Sequence, residues 1–363
     1  MNQLPPRSGG RELSEKVPIK QTFCGKYRVL ATFVICVSVL IAGFAASGIW
    51  KNTESGKMFF SKIESFFGKA SDQDELDPPI VSDSNDPVDT PDQEEQQIPE
   101  GAIPVVSMDL SYMNRGESYY LNDTAYQPDI ESLLGRTLNI LDGRIETDAP
   151  LVLIVHTHTV ESYLPDATKY VEGSLSNVTY STDAKQNMIA VGDVLADALN
   201  ENGIPTLQCI VTHTGENMTL QGAYNRSAES VKSYLKQYPS IRLVIDLHRD
   251  GILTDEEEYV KTALPDSNDS LAQVMAVVGT DSNGTDCPNW EGNLALALQL
   301  RRAMNLSDYG IGRPVYLRNA SFNQELAPFG LLLEIGSGGN SLEQAKRTAE
   351  KIGDALALII QNS

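Results

Sequence analysis

Histidine and acidic side chains stand where buried apolar segments of this chain end. His156 and His158 directly follow the apolar run at residues 151–155, and Glu161 lies three residues after His158. Neutral imidazole and carboxylate are ordinary zinc ligands, and a His-x-x-Glu spacing places both side chains on one face of a helical turn. The chain has only 4 histidines, so their concentration here indicates a metal centre.

Two further apolar runs end in the same residue types. Residues 242–248 end in His248, and residues 331–334 end in Glu334. The carboxyl ends of parallel strands meet at one edge of a sheet, where ligands bind. This convergence predicts metal-assisted hydrolysis, with His158, Glu161 and His248 as ligands of Zn2+ and Glu334 as the general base.

Some of these residues also fit other roles. His156 fits a ligand, a partner that orients a ligand, or a stabiliser of the transition state. Glu161 fits a cap at the start of a helix. His213, which follows another predicted strand, fits a structural role better than a place in the site.

A structural role can explain Asp246 and Asp250 more easily than it can explain Glu334. Asp246 and Asp250 flank His248 and fit either carboxylates that orient its ring or alternative ligands. Asp250 followed by Gly251 also fits a turn. A carboxylate that ends a buried strand, as predicted for Glu334, costs several kcal/mol unless it is paired or ligated.

The elements that must hold these residues alternate between strand and helix. This pattern predicts an α/β fold, with a mostly parallel twisted sheet and helices on both faces, over residues 105–363. Residues 105–145 are predicted to form a lead-in arm. The predicted strands are 151–155, 204–211, 242–248, 274–279 and 331–334, and the predicted helices are 183–202, 223–238, 289–305 and 341–360.

A transmembrane helix and a disordered linker are predicted ahead of this domain. Residues 1–28 are rich in lysine and arginine, and residues 29–50 are uncharged over about the length that crosses a bilayer. The positive-inside rule then leaves the basic tail in the cytoplasm and the domain outside the cell membrane. A cleaved signal peptide is the alternative, because the small residues at 45–47, near the end of the apolar stretch, fit a cleavage site.

The linker and the overall charge restrict the partners. Residues 51–104 form a juxtamembrane stem followed by an acidic, proline-rich stretch that is expected to stay extended and disordered. The chain has 28 basic and 49 acidic residues and a formal net charge of -21, which argues against nucleic acid as a partner. Cys209 and Cys287 are predicted to be two separate thiols or one disulfide.

Five motifs together resemble the family of stage II sporulation protein P. The resemblance covers about residues 105–363, and the motifs are His-Thr-His-Thr-x-Glu-Ser-Tyr-Leu-Pro (156–165), Val-Ile-Asp-Leu-His-Arg-Asp (244–250), Val-Val-Gly-Thr-Asp (277–281), Pro-Asn-Trp-x-x-Asn-Leu (288–294) and Leu-Leu-Leu-Glu-Ile-Gly-Ser-x-Gly-Asn-Ser (331–341).

The resemblance implies a peptidoglycan hydrolase related in its core to the zinc N-acetylmuramoyl-L-alanine amidases, although their Asp-Pro-Gly-His-Gly-Gly opening is absent here. Such enzymes cut the amide between muramic acid and the stem peptide, and this family is also credited with endopeptidase cleavage of cross-links. It implies a role in septal wall remodelling during engulfment, with stage II sporulation protein D as partner. By this resemblance His158, Glu161 and His248 match the metal ligands and Glu334 the catalytic glutamate.

Two other functions fit the same residues. A non-catalytic wall-binding scaffold would tolerate replacement of Glu334. A zinc-dependent deacetylase acting on the sugars of peptidoglycan would release acetate rather than peptides. Having both His248 and Glu334 at strand ends favours an enzyme over a scaffold, and only the family resemblance favours an amidase over a deacetylase.

Overall fold

The fold is taken from a computed structural model, which describes residues 19–20, 98–111, 120–142, 148–172, 179–214, 222–254, 257–264, 271–282, 284, 286–306 and 310–363. The helices are α1 (Ile130–Leu134), α2 (Met188–Glu201), α3 (Ala223–Gln237), α4 (Trp290–Leu306) and α5 (Leu342–Gln361). The strands are β1 (Ile19–Lys20), β2 (Ile103–Met108), β3 (Tyr120–Asn122), β4 (Val152–Val155), β5 (Tyr170–Val171), β6 (Thr206–Cys209), β7 (Leu243–Asp250), β8 (Tyr259–Thr262), β9 (Val274–Gly279), β10 (Val315–Arg318) and β11 (Phe329–Ser337).

The main sheet has eight strands in the order β1-β6-β4-β7-β11-β9-β10-β3. Its centre is parallel, but β9 runs antiparallel to β11, and β1 runs antiparallel to β6. The α/β class is therefore confirmed, whereas the sheet is mixed. The direction of β9 could not be predicted because all of its residues are buried, and an apolar run reads the same in either direction.

The two faces of the sheet are covered differently. On one face, which we call the closed face, strand residues pack against helices α2, α4 and α5, as in the set Ile154, Ile245, Leu333, Leu195, Leu294 and Leu356. On the other, the open face, α3 packs on β4, β6 and β7 only. The outer part of the open face has its own small cluster, formed by Met275, Val277 and Leu332 with Tyr316 and Phe322.

Local capping explains where two helices begin. Asn187 accepts a hydrogen bond from the backbone N–H of Ile189, so α2 starts at Met188 rather than near residue 183 as predicted. Asp183 instead caps a turn by accepting from Lys185. Ser341 forms a capping box with Gln344, so α5 starts at Leu342. This agrees with the predicted helix boundary at residue 341.

A second, three-stranded sheet in the order β5-β2-β8 was not predicted. Two of its strands are short, and the small core there contains Leu164, Val171 and Tyr259. Residues 105–145 contribute β2, β3 and α1, which fits the predicted lead-in arm. Cys209 and Cys287 are free, buried thiols, so the two-thiol alternative is confirmed.

Most of the predicted membrane and linker segments lie outside the described residues. This holds for residues 29–50, for residues 51–97 and, apart from β1, for residues 1–28. Within the described ranges, no helix has the length and apolar character needed to cross a bilayer. Ile19 and Lys20 pair with Cys209 and Gln208 as an edge strand of the main sheet.

Candidate metal centre

His158, Glu161 and His248 form a compact cluster at the carboxyl ends of β4 and β7. Nδ1 of His158 lies 3.3 Å from Oε1 of Glu161, and Nδ1 of His248 lies 3.6 Å from Oε2 of the same carboxylate. The three ligand atoms lie within 4.8 Å of one another. The structure therefore brings together the three residues predicted as ligands.

Side-chain alternation along the strands decides which residues reach this cluster. In β7, Val244 faces α3 on the open face while Ile245 faces the closed face, so Asp246 and His248 share the open side with Val244. The parallel pairing of β7 with β11 sets Glu334 directly beside His248. All of these polar side chains therefore lie on the open face.

His156 lies on the opposite face. Its ring packs against α2, where an added Cβ at Gly192 would come within 2.7 Å of Nε2 of His156. The Gln208 side-chain nitrogen lies 3.0 Å from Nε2 of His156. Burial lowers the pKa of His156 to about 4, so the ring is neutral. His156 is therefore outside the cluster. The chain turns after β4, so His156 and His158 lie on different faces of the sheet although they are two residues apart.

Asp246 fixes both the strand end and the turn that follows β4. Its carboxylate accepts hydrogen bonds from the backbone N–H of Thr157 at 2.9 Å and from the Thr157 hydroxyl at 2.6 Å. Its Oδ1 also lies 3.1 Å from Nε2 of His248. This position beside the His248 ring, with Nδ1 on the side of Glu161, fits the predicted orienting role, although the geometry at Nε2 does not complete a hydrogen bond.

Arg249 holds the segment that carries Glu161. Its buried guanidinium donates to the carbonyl oxygens of Ser162 and Thr179, at 2.7 and 3.0 Å. Its backbone N–H donates to Oε2 of Glu161 at 3.3 Å. Sequence reasoning missed this role, because an arginine that bonds to distant backbone carbonyls has no spacing signal.

The charges in the cluster are strongly coupled. Burial alone would lower the pKa of His248, but Asp246 and Glu161 outweigh it and raise that pKa well above its ordinary value. Burial alone would raise the pKa of Glu161, but hydrogen bonds from His158 and His248 outweigh it and lower that pKa below its ordinary value. The environment therefore favours a positive charge between the carboxylates.

Glu334 is a partly buried acid beside the cluster. Burial raises the pKa of Glu334 to about 8, with Glu161 and Asp250 acting in the same direction. Its Oε2 is a buried atom without a hydrogen-bond partner among the described residues. An acid with a buried, unpaired oxygen next to a group of potential metal ligands is typical of a proton-transfer residue.

The remaining candidates lie beside the cluster or behind it. Oδ2 of Asp250 lies 3.0 Å from Nη1 of Arg313, and Oδ1 accepts from the N–H of Gly251, so Asp250 acts as an ion-pair partner and turn residue. His213 is buried, with Nδ1 2.8 Å from the carbonyl oxygen of His156 and Nε2 2.8 Å from Ser230 Oγ. Neither belongs to the group of three.

An aromatic wall borders the cluster on its open side. The Tyr224 ring makes an edge contact with His158 at 5.8 Å between centroids and stacks on His248 at 6.5 Å. Phe322 lies 5.8 Å from Tyr224. Asn323 donates from Nδ2 to the Tyr224 carbonyl oxygen at 2.8 Å, which fixes the start of α3. Sequence reasoning considered residues 219–226, which include Tyr224, as a lining of the substrate groove but had no physical argument that assigned them to it.

The site is thus a histidine and glutamate cluster at strand ends of a mixed α/β domain. Residues 51–357 match the family described as stage II sporulation protein P. The chain belongs to this family.

The relatives include a stage II sporulation protein P of Bacillus subtilis (strain 168), which is 29% identical over 221 residues. That match covers 58% of this chain and 51% of the relative, so the chain spans about half the length of the curated relative it matches.

Among solved structures, an apo N-acetylmuramyl-L-alanine amidase from Mycobacterium abscessus is similar at 14% identity and a TM-score of 0.34, covering 58% of this chain and 99% of that one. The catalytic domain of an N-acetylmuramoyl-L-alanine amidase from Bacillus (Paenibacillus) polymyxa var. colistinus gives 14% identity and a TM-score of 0.33, covering 59% and 99%.

Proposed function

We propose that the chain is a zinc-dependent peptidoglycan hydrolase that cuts the amide between muramic acid and the stem peptide. The observation that carries the proposal is the convergence of His158, Glu161 and His248 next to the unpaired acid Glu334. Membership of the stage II sporulation protein P family supports a role in remodelling the cell wall during sporulation.

The ligand atoms fit zinc. Ligands about 2.1 Å from a tetrahedral zinc ion lie about 3.4 Å from one another. The nitrogen–oxygen distances of 3.3 Å to Oε1 and 3.6 Å to Oε2 of Glu161 are close to that spacing, and the three ligand atoms lie within 4.8 Å of one another. Two imidazoles and one carboxylate also leave a fourth position open for water or substrate. Zn2+ bound there would polarise the scissile carbonyl and favour ionisation of a water molecule.

The chain's own residues would then handle the protons. Glu334 accepts the proton from the attacking water and donates it to the leaving amine of the peptide, as a general base and then a general acid. Its pKa of about 8 suits a group that must both bind and release a proton near neutral pH. Asp246 keeps Nδ1 of His248 directed at Glu161.

Cleavage of isolated peptidoglycan by the full chain tests this function. We expect release of free stem peptides, detected by mass spectrometry, that stops when a chelator is added and resumes with zinc. Glu334→Ala should abolish release while the protein still binds zinc. His213→Gln, which changes a buried histidine outside the cluster, should retain cleavage.

The same experiment separates the alternatives. Release of acetate instead of peptide would show a deacetylase. Binding of intact wall by both the unchanged chain and Glu334→Ala, with no product, would show a scaffold. Products in which the peptide cross-links have been cut would show an endopeptidase activity as well. Loss of that activity in Glu334→Ala would assign both cleavages to one centre.

Membrane anchoring through residues 29–50 and cooperation with stage II sporulation protein D are part of the proposal. An anchored chain would hold residues 1–28 and the domain on opposite sides of the membrane, which excludes the pairing of β1 with β6. Labelling of Lys20→Cys in a Cys24→Ser background by a membrane-impermeant maleimide distinguishes the arrangements. Protection in intact cells supports the anchor, and labelling supports the paired strand.

A further inference from the structure

The outer part of the open face forms a groove instead of a helix-covered core. Helix α3 packs on β4, β6 and β7, whereas the cluster on β9, β10 and β11 contains no helical residue among those described. A cavity of about 630 Å³ lies over this cluster. We call it the open groove, and its floor is Met275, Val277 and Leu332.

The open groove is continuous with the candidate catalytic centre. Glu334 and Tyr224 line one end of it, and Tyr224 contacts both His158 and His248. Phe322, which lines the groove beside Tyr224, has a φ of 54°. A bulky residue adopts this left-handed conformation only where its surroundings impose it, as is common at binding sites.

Arg318 adds an exposed positive charge to the lining of the groove in a chain whose net charge is -21. Arg313 is buried and pairs with Asp250, so it forms part of the wall. The Arg318 side chain is 43% exposed and lies over the Tyr316 ring at 4.6 Å. Its Nε lies 3.3 Å from Asp123, an exposed contact that an incoming anion can replace.

We propose that the open groove binds the stem peptide of peptidoglycan, with Arg318 binding one of its free carboxylates. This inference rests on the proposed function. The peptide leaves the scissile amide at Glu334 and runs over Met275, Val277 and Leu332. Its alanine methyl groups contact this floor, and a guanidinium pairs with a carboxylate through charge-assisted hydrogen bonds.

The lining of the groove favours a peptide over a glycan strand. Most of it is aliphatic or aromatic, and it includes the exposed side chains of Met108 and Leu253 at the rim. Sugar hydroxyls placed against such a surface would lose water without gaining hydrogen-bond partners. The Tyr316 hydroxyl already donates to Asp123 at 2.8 Å.

Binding of a soluble stem peptide to the full chain, measured by calorimetry, tests the proposal without requiring cleavage. The probes are one peptide with free carboxylates, its carboxamide form and glycan strands stripped of peptide. The unchanged protein should bind the free acid about tenfold more tightly than the amide, the value of one charge-assisted hydrogen bond that is partly exposed. Arg318→Gln should abolish this preference, and Arg318→Lys should retain part of it.

A matched control separates this effect from a general loss of positive charge. Arg136 has a similar exposure, 46%, and lies at 3.7 Å from Glu291, away from the groove residues. Arg136→Gln should keep the preference for the free acid. An unchanged preference in Arg318→Gln, no binding of the peptide, or tighter binding of the stripped glycan would each overturn the proposal.

The two proposals fail in different ways. Arg318-dependent peptide binding by a protein that releases no peptide from the wall would preserve the groove and reject the amidase. Zinc-dependent release of peptides together with the same affinity for acid and amide would preserve the amidase and reject this role of Arg318.

Discussion

The closed and open faces of the central sheet are built from the same strands but differ in chemistry. Leu333 of β11 points into the aliphatic core formed with α2, α4 and α5. Its neighbours Leu332 and Glu334 line the groove on the other side. On the closed face, burial of apolar side chains provides stability. On the open face, the part over β9 and β10 has no α-helix on it among the described residues, and the strand ends on this face carry the candidate catalytic groups.

The largest expected difference between the two faces concerns His158 and His156, which stand two residues apart. His158→Ala removes a proposed ligand. Loss of a residue that only orients a ligand lowers metal affinity by about 10–100-fold, and we expect His158→Ala to lower zinc affinity by more than that. His156→Gln should leave zinc binding unchanged, because His156 packs against α2. Zinc content after dialysis measures both. Equal loss of zinc in the two variants would contradict the assignment of faces.

Leu333→Ala and Leu332→Ala compare the faces within one strand. Both leucines are buried, at 0% and 2% exposure. Leu333→Ala leaves a cavity in a closed core and should cost about 2–5 kcal/mol of unfolding free energy. Leu332→Ala enlarges a groove that water already reaches, so we expect a cost about 1 kcal/mol smaller, together with weaker peptide binding. Denaturant unfolding measures the first quantity, and a larger cost for Leu332→Ala would count against an open groove.

Much of this arrangement follows from sequence. Apolar runs that end in His158, His248 and Glu334 predict strands whose ends meet, and the structure brings these residues together. Sequence did not separate His156 from His158, because a period of two would place both on one face of a strand. They diverge because β4 ends at Val155 and a turn follows. The groove could not be predicted, because it depends on the absence of an α-helix over β9 and β10 on the open face among the described elements.

Other parts of the site depend on contacts between distant segments. Arg249 holds residues 162 and 179 through their backbone carbonyls, and the Tyr224 carbonyl oxygen accepts a hydrogen bond from Asn323, about 100 residues away in sequence. Hydrophobic pattern carries none of this information.

Gly192→Ala tests the packing of the closed face against α2. An added methyl group there would collide with Nε2 of Gln208 and approach His156 at 2.7 Å, so we expect a loss of about 1–3 kcal/mol in unfolding free energy. Gly292→Ala on α4 is the matched control, since its nearest neighbour, a Phe329 ring carbon, lies at 3.5 Å. That change should be neutral or stabilising by up to about 1 kcal/mol. Zinc content should remain unchanged in both variants, and a loss confined to Gly192→Ala would place His156 in the metal centre.

The smallest expected effect concerns Asp123, which competes for Arg318 at the open groove. Asp123→Asn removes the competing charge and should tighten binding of the free-acid peptide by about two- to fivefold, the value of an exposed ion pair. Affinity for the carboxamide peptide should not change. Weaker binding of the acid in this variant would mean that Asp123 contributes to the site rather than competing with the ligand.

The most direct test of the account is anomalous diffraction at the zinc edge from crystals grown with zinc. The account predicts one strong peak about 2.0–2.2 Å from Nδ1 of His158, Nδ1 of His248 and one oxygen of Glu161, on the open face beside Glu334. No peak at this position, or a peak bound to His156 on the closed face, would contradict it.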